Sequence, residues 1–225
     1  MSQQLTERGF GYGFGHLSPD QSKFLISIPK NASSTLSEWV SANGWTAAIV
    51  GDNCNWNSVQ EMIVVLRDPV DRWISGIVQY IYTYILCVHG PNSIKLVHET
   101  STEFDYDMSV KQFIEQYNQL SERILFDVIN RFDDHVWPQT ELFQNLLPTV
   151  PRKFFYLDLN FDSKISQHLD LDLNNMLHHN TSDKNITKKS LQEFIQQRLI
   201  HRPELKQRVI NAYAKDYELI NQIIQ

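Results

Sequence analysis

The segment EMIVVLR, residues 61–67, constrains the fold more than any other part of this 225-residue chain. Its apolar residues run on without the polar alternation of a half-exposed strand, which is typical of a parallel strand covered on both faces. The next segment, DPVDRWISGIVQYIYTYILCV (68–88), predicts a helix, because proline suits the first helical turn and aspartate favours the positive helix end. A buried strand that runs directly into a helix indicates an α/β fold.

The same alternation of strand and helix signals continues along the chain. Further candidate strands are KFLISI (23–28), TAAIV (46–50) and KFFYLDL (153–159). Further candidate helices cover residues 34–40, 109–132, 163–177 and 187–224, the last interrupted near Pro203. Residues 9–15 predict an irregular lead-in, and residues 90–107 and 178–187 predict loops. We expect a mostly parallel central sheet flanked by helices, in a single domain that spans residues 1–225.

Composition argues against several classes of function. The net charge of −6 and the pI near 5.7 disfavour a nucleic-acid-binding coat, because such a coat needs a basic face. The N-terminus lacks a signal pattern, and the apolar segment 73–88 is short and partly polar for a membrane span. Two cysteines, Cys54 and Cys87, are too few for a disulfide framework. We therefore expect a cytoplasmic protein without a membrane span, in which the Asn31 glycosylation sequon is a chance match.

Ligands of parallel α/β sheets bind beyond the carboxyl ends of the strands, and the turn PKNASST (29–35) follows one such strand. Helix amides, the helix dipole, the Lys30 ammonium and the hydroxyls of Ser33, Ser34 and Thr35 could together bind an anion. The turn is not a GxxxxGK[ST] P-loop, because it has no glycine. An ordinary turn with Ser/Thr caps and a solvated lysine explains this segment equally well.

A second candidate anion site follows the strand at 61–67. Arg67 ends that strand, and Ser75 lies eight residues later, two turns into the next helix. An arginine fork together with a hydroxyl suits a phosphate monoester. Considered alone, an Arg–Asp pair that caps a helix is the more common explanation.

Together, IPKNASSTL and VVLRDPVDRWIS resemble the two nucleotide-binding signatures of the sulfotransferase superfamily, whose donor is 3′-phosphoadenosine-5′-phosphosulfate (PAPS). The resemblance implies a P-loop-NTPase-like sulfotransferase fold and PAPS as co-substrate, without a metal. It implies that the first loop holds the 5′-phosphosulfate, through Lys30, Asn31, Ala32, Ser33, Ser34 and Thr35. It also implies that Arg67 and Ser75 hold the 3′-phosphate. Arg72 matches a second basic residue of the motif, with a structural role as the alternative.

The wording of both motifs is closest to the carbohydrate, Golgi-type branch of that superfamily. DDHVWPQ (133–139) resembles a His-x-x-Pro-Gln segment of the branch, and HHNTSDK (178–184) resembles its late loop. The short chain and the lack of an anchor predict a soluble relative. The resemblance therefore implies in-line sulfuryl transfer from PAPS to a hydroxyl acceptor, which we expect to be a carbohydrate or glycan.

Sulfuryl transfer needs a cation near the leaving phosphate and a base near the acceptor hydroxyl. Lys30 is the natural partner of the bridging oxygen. His135 is the first candidate base, with Asp133 or Asp134 to orient it, although hydrogen bonding between loops explains it as well. Glu38, one helical turn beyond Ser34, is the carboxylate alternative. Weaker candidates are Glu61, Asp52 and Glu99.

Two other classes of function stay open at this point. The strand–loop–helix unit also fits a nucleotide or polynucleotide kinase, although no magnesium-holding acidic motif follows a strand. A protein that binds PAPS, or its product 3′-phosphoadenosine 5′-phosphate (PAP), without turnover fits as well, because the residues on the acceptor side are the least defined. Trp45 and Trp56 could stack on adenine, and a core position is the alternative for each.

Overall fold

The computed structural model describes residues 13–52, 54–80, 135–173, 176 and 186–224. Strands and helices are numbered in chain order within these ranges. The strands are β1 (Phe14–Leu17), β2 (Lys23–Ile26), β3 (Thr46–Ile49), β4 (Glu61–Leu66) and β5 (Arg152–Tyr156). The helices are α1 (Ser33–Ala42), α2 (Pro69–Tyr80), α3 (Gln139–Phe143), α4 (Phe161–Leu169), α5 (Ile186–His201), α6 (Pro203–Ala212) and α7 (Ala214–Ile224).

The chain divides into two compact units. The first unit takes its residues from Met1–Pro69, Pro138–Asn180 and Ala212–Gln225. The second takes them from Val70–Trp137 and Thr181–Asn211. All five described strands belong to the first unit, together with α1, α3, α4 and α7. The single sulfotransferase domain over residues 1–225 stays a prediction.

The described strands form one sheet in the order β3-β1-β2-β4-β5. β4 pairs in parallel with β2 and with β5, as the apolar run at 61–67 predicted. β1 pairs antiparallel with β2 and with β3. The α/β class is confirmed, and the sheet is mixed, with one parallel half and one antiparallel half. A short turn between β1 and β2 explains why that pair is antiparallel, because a parallel connection needs a long crossover.

β1 overlaps the end of the segment that we predicted to be an irregular lead-in. Gly15 lies in this overlap, and its presence in a glycine-rich segment led to the prediction of irregular structure. A Cβ atom on Gly15 would lie 2.3 Å from the carbonyl oxygen of Leu25 on β2 and 2.6 Å from the Phe24 ring. Glycine therefore allows a close approach of two strands here rather than an irregular backbone.

The turn after β1 is closed by the carboxylate of Asp20. It accepts hydrogen bonds from the hydroxyls of Ser18 at 2.6 Å and Ser22 at 2.7 Å, and from the backbone N–H of Ser22 at 3.1 Å. These bonds, that from Ser18 first, lower the pKa of Asp20 to about 2. The turn thus keeps its hydrogen bonds throughout the physiological pH range.

Helices cover both faces of this sheet. On one face, α1 and α4 share an apolar cluster with strand side chains, among them Leu25, Ile63 and Phe155. Phe154 points to the opposite face because side chains alternate along a strand. Its ring lies 5.8 Å from that of Phe143 on α3. The predicted flanking of the sheet by helices is therefore confirmed for the first unit.

The last predicted helix, 187–224, is divided into three. The predicted interruption near Pro203 is confirmed, since α5 ends at His201 and α6 begins at Pro203. A second interruption, at Tyr213 between α6 and α7, was not predicted. The predicted helix at 109–132, the loop at 90–107 and most of the loop at 178–187 lie outside the described residues. Within the described ranges, no helix has the length and apolar character that crossing a bilayer requires.

His16 on β1 should make the stability of the fold depend on pH. Its side chain is buried, and burial lowers its pKa below the ordinary 6.5. The unfolded chain therefore binds more protons, so this contribution to stability is full above about pH 6.5 and is lost as the pH falls below it. Urea unfolding of wild type and His16→Gln across this range should show a smaller acid-induced loss in the variant. Equal losses would contradict the assignment.

Candidate functional site

The loop between β2 and α1 has a strained backbone. The N–H of Asn31 donates to the carbonyl of Ile28 at 3.1 Å, which closes a tight turn. Lys30 and Ala32 have φ angles of 68° and 58°, in the left-handed region. Residues with a Cβ atom rarely adopt this conformation, and such strain collects at functional sites. The loop thus achieves without glycine a sharp turn for which glycine is the usual residue.

The hydroxyl residues of this segment are the first turn of α1 and not its caps. The helix begins at Ser33, so Ser33, Ser34 and Thr35 lie inside it. Ala32 occupies the N-cap position, no side chain caps the helix in the described part of the chain, and its first turn holds no acidic residue. The alternative interpretation of these residues as Ser/Thr caps is therefore wrong. The first-turn amides and the positive helix end face the loop instead.

Arg67 lies beside this loop. It follows β4 directly, and β2 and β4 are parallel neighbours, so both segments leave the same edge of the sheet. The Arg67 Nη1 donates to the carbonyl oxygen of Lys30 at 3.2 Å. The two segments that the sequence marked as anion sites therefore meet in the first unit.

The side chain of Asn31 is buried and forms hydrogen bonds within the protein. It is 1% exposed, and its Nδ2 donates to the carbonyl of Val65 at 2.7 Å and to Oε1 of Gln139. This nitrogen is the atom that a glycan would modify. Burial and two hydrogen bonds oppose that modification, in agreement with a chance sequon.

Gln139 is a residue of this site that the sequence did not single out. It is 0% exposed, and its amide binds the backbone of Arg67 at two points. Its Oε1 accepts from the Arg67 N–H at 2.9 Å, and its Nε2 donates to the Arg67 carbonyl at 2.9 Å. The sequence signal that could have identified Gln139 is its position as the last residue of DDHVWPQ, the segment that resembles His-x-x-Pro-Gln.

The second unit contains Arg72, Ser75 and His135. Arg72 is 1% exposed and donates to the carbonyl of Trp137, a contact that suits the structural alternative for this residue. A Cβ atom on Gly76 would lie 2.4 Å from the carbonyl oxygen of His135. The α2 backbone therefore packs directly on the His135 segment, next to the half-buried Ser75.

The other candidate bases have different surroundings. Glu38 is exposed on α1. A Glu61 carboxylate oxygen lies within hydrogen-bond distance, 2.7 Å, of His168 Nε2, and Asp52 accepts a hydrogen bond from the Ile49 N–H at 3.1 Å. Those two carboxylates therefore have structural partners. Glu99, Asp133 and Asp134 lie outside the described residues.

The two tryptophans proposed for adenine stacking are engaged in packing. Trp45 is buried in the apolar cluster shared by α1 and α4. The Trp56 ring meets the Phe24 ring edge-on at 5.2 Å, and its indole N–H donates to the carbonyl of Asp52 at 3.1 Å. Both contacts favour the structural alternative.

The first unit thus combines two cations and a helix N-terminus at one edge of the sheet. Lys30 supplies an ammonium, Arg67 a guanidinium fork, and α1 the first-turn amides with their hydroxyls. Each group donates hydrogen bonds and favours negative charge. The chemistry of this donor set fits an anion with phosphate or sulfate groups.

The model of the Sulfotransferase family matches residues 18–221 of this chain. No curated protein and no solved structure matched it significantly. The matched range includes the loop at Lys30, Arg67 and Gln139. The family prediction drawn from the sequence motifs is therefore confirmed.

Proposed function

Because this chain belongs to the sulfotransferase family, we propose that it transfers the sulfuryl group of PAPS to a hydroxyl acceptor, a carbohydrate or glycan. The observation that carries the proposal is the 3.2 Å hydrogen bond from Arg67 Nη1 to the Lys30 carbonyl. It joins the two segments whose motifs indicate the donor site. A P-loop-NTPase-like fold and a cytoplasmic location belong to the same proposal.

The donor's anionic groups have matching partners in the first unit. Lys30 would meet the bridging oxygen, the first turn of α1 (33–35) the phosphosulfate, and Arg67 the 3′-phosphate. The geometry that supports these roles is the left-handed loop and the uncapped helix start. The roles of Ser75 and Arg72 stay predictions from the sequence motif.

The reaction exchanges one S–O bond for another. The bond from sulfur to the leaving phosphate breaks, a bond from sulfur to the acceptor oxygen forms, and the acceptor proton passes to a base. The Lys30 ammonium would offset the negative charge that develops on the leaving oxygen, which is where fixed positive charge accelerates such a transfer. His135 and Glu38 stay the candidate bases.

The direct test incubates the protein with sulfur-labelled PAPS and a panel of sugars and glycans. We expect label in at least one acceptor, and tight PAP binding in calorimetry. Preference for ATP–Mg²⁺ over PAP would favour a kinase instead. PAP binding without transfer to any acceptor would favour a binding protein, and neither binding nor transfer would end the proposal.

Substitution of Arg67 should weaken nucleotide binding. Arg67→Met removes the charged fork, so we expect PAP affinity to fall roughly 10- to 100-fold, since charge-assisted bonds contribute about 1.5–3 kcal/mol. Arg67→Lys should retain part of the affinity, because the charge stays and the fork is lost.

Arg152→Met is the matched control for this variant. Arg152 lies at the start of β5, at the sheet edge opposite to Arg67, and donates to the Gln144 carbonyl at 2.8 Å. Calorimetry should find PAP affinity in this variant within about twofold of wild type. Equal losses in the two variants would show that Arg67 is not a specific contact.

A further inference from the structure

One buried side-chain amide holds both segments of the proposed donor site. Gln139 Oε1 accepts from the Arg67 N–H and also from Asn31 Nδ2, while its Nε2 donates to the Arg67 carbonyl. Asn31 Nδ2 additionally donates to the Val65 carbonyl at the end of β4. Gln139 therefore fixes the backbone at Arg67 and the side chain next to Lys30 at the same time.

A second buried group determines which way round this amide lies. The Asp216 carboxylate is 1% exposed and accepts from the backbone N–H groups of Gln139 at 2.7 Å and Thr140 at 2.9 Å. It also accepts from the Thr140 hydroxyl at 2.8 Å, and the Gln139 Nε2 lies 3.4 Å away. If the amide oxygen and nitrogen were exchanged, Oε1 would face both this carboxylate and the Arg67 carbonyl. Two contacts between acceptors exclude that orientation.

The carboxylate of Asp216 is itself held by two helix starts. Asp216 lies in the first turn of α7 and accepts hydrogen bonds from the first two backbone N–H groups of α3. The N-cap of α3, Pro138, provides no side-chain cap of its own. Both helix ends favour negative charge. A connected series of bonds thus runs from α7 through Gln139 to the loop at Lys30.

We propose that Gln139 and Asp216 are positioning residues for the donor site: Asp216 orients the Gln139 amide, which sets the spacing between the Lys30 loop and Arg67. The inference rests on the proposed function, because it assigns the network to that donor site. Neither side chain needs to touch the donor. The network acts through the Arg67 backbone and through the buried Asn31 side chain.

The first test compares Gln139→Met with a control, Val59→Ala. Methionine keeps the volume and removes every hydrogen bond of the amide. Val59 is buried, precedes the start of β4 and so lies at the opposite end of that strand from Arg67, outside the apolar cluster that α1 shares with α4. Amide hydrogen exchange of residues 28–36, without ligand, should be at least about fivefold faster in Gln139→Met and unchanged in Val59→Ala. Unchanged exchange in Gln139→Met overturns the inference.

PAP binding measures the consequence for the donor site. We expect Gln139→Met to bind PAP about tenfold or more weakly than wild type, and Val59→Ala to bind it like wild type despite a lower melting temperature. Failure of wild type to bind PAP would remove the proposed function, while the exchange experiment would still decide on the positioning network. Wild-type affinity in Gln139→Met would overturn the positioning role.

Two further variants keep the inference testable if Gln139→Met does not fold. Gln139→Glu places a second carboxylate beside Asp216 and should weaken PAP binding. Adding Asp216→Asn restores a single negative charge and an N–H donor between the two residues, so the double variant should regain part of the affinity. A double variant no better than Gln139→Glu would show that the pair does not act through this contact.

Discussion

Lys30→Ala is expected to lower the rate of sulfuryl transfer by about two to three orders of magnitude, the usual effect of removing one preorganised group that stabilises transition-state charge. Lys30 has a left-handed backbone conformation, and its carbonyl accepts a hydrogen bond from Arg67. The backbone position from which the ammonium side chain extends is therefore fixed. Alanine keeps the Cβ atom and hence the same backbone strain. The loss therefore reports the ammonium and not a change in the loop.

The experiment measures single-turnover transfer and PAP affinity for the same proteins. We expect PAP affinity of Lys30→Ala to fall about tenfold or less, because the ammonium acts mainly on charge that develops during transfer. Lys30→Arg should lie between alanine and wild type. Lys153→Ala, which removes an exposed lysine from β5, serves as the control and should transfer normally. Unaltered transfer by Lys30→Ala would remove Lys30 from the mechanism.

Gly76→Ala is expected to destabilise the protein, against the usual preference of helices for alanine. In an exposed helix interior, alanine is more stable than glycine by about 1 kcal/mol. At Gly76 the added Cβ would lie 2.4 Å from the His135 carbonyl oxygen and 2.8 Å from a Val136 methyl carbon. Overpacking of this kind typically costs about 1–3 kcal/mol, which for a chain of this length is a melting-temperature loss of roughly 2–12 °C.

The matched comparison uses Glu193, an exposed residue of α5 in the same unit. Thermal melts of Glu193→Ala and Glu193→Gly should give the ordinary order, with alanine the more stable. Gly76→Ala against wild type should give the opposite order. If alanine is the more stable residue at both positions, the close packing of α2 on the His135 segment is not a feature of the folded protein.

The parallel half of the sheet could be predicted from the sequence because its signals are local. The apolar run at β4, the Asp-Pro start of α2 and the β2–loop–α1 unit each lie within about twenty residues of sequence. The two motifs at 28–36 and 64–75 lie in these units, so the family could be recognised from them. Each motif alone fits an ordinary turn or a helix cap as well as an anion site. The occurrence of both motifs in one chain favoured the anion site.

The features that escaped prediction depend on contacts distant in sequence. Gly15 reads as an irregular segment until the carbonyl of Leu25 is known to lie against it. Asp216 is one acidic residue in a helix of ordinary composition, and nothing local connects it to Gln139. Serine and threonine at 33–35 are residue types that commonly cap helices. Ala32, in a left-handed conformation, is the N-cap instead, so all three hydroxyl residues lie inside the helix.

The network around Gln139 also bears on the order of folding. Asn31 and Gln139 are separated by 108 residues, and Gln139 and Asp216 by 77, whereas β1 and β2 are joined by a short turn. Closing a loop over such distances costs more entropy than closing the β1–β2 hairpin, so we expect these contacts to form after the hairpin. A chain with only its hairpin formed would therefore still lack the proposed donor site. Donor nucleotide should bind only the fully folded chain and so oppose its global unfolding.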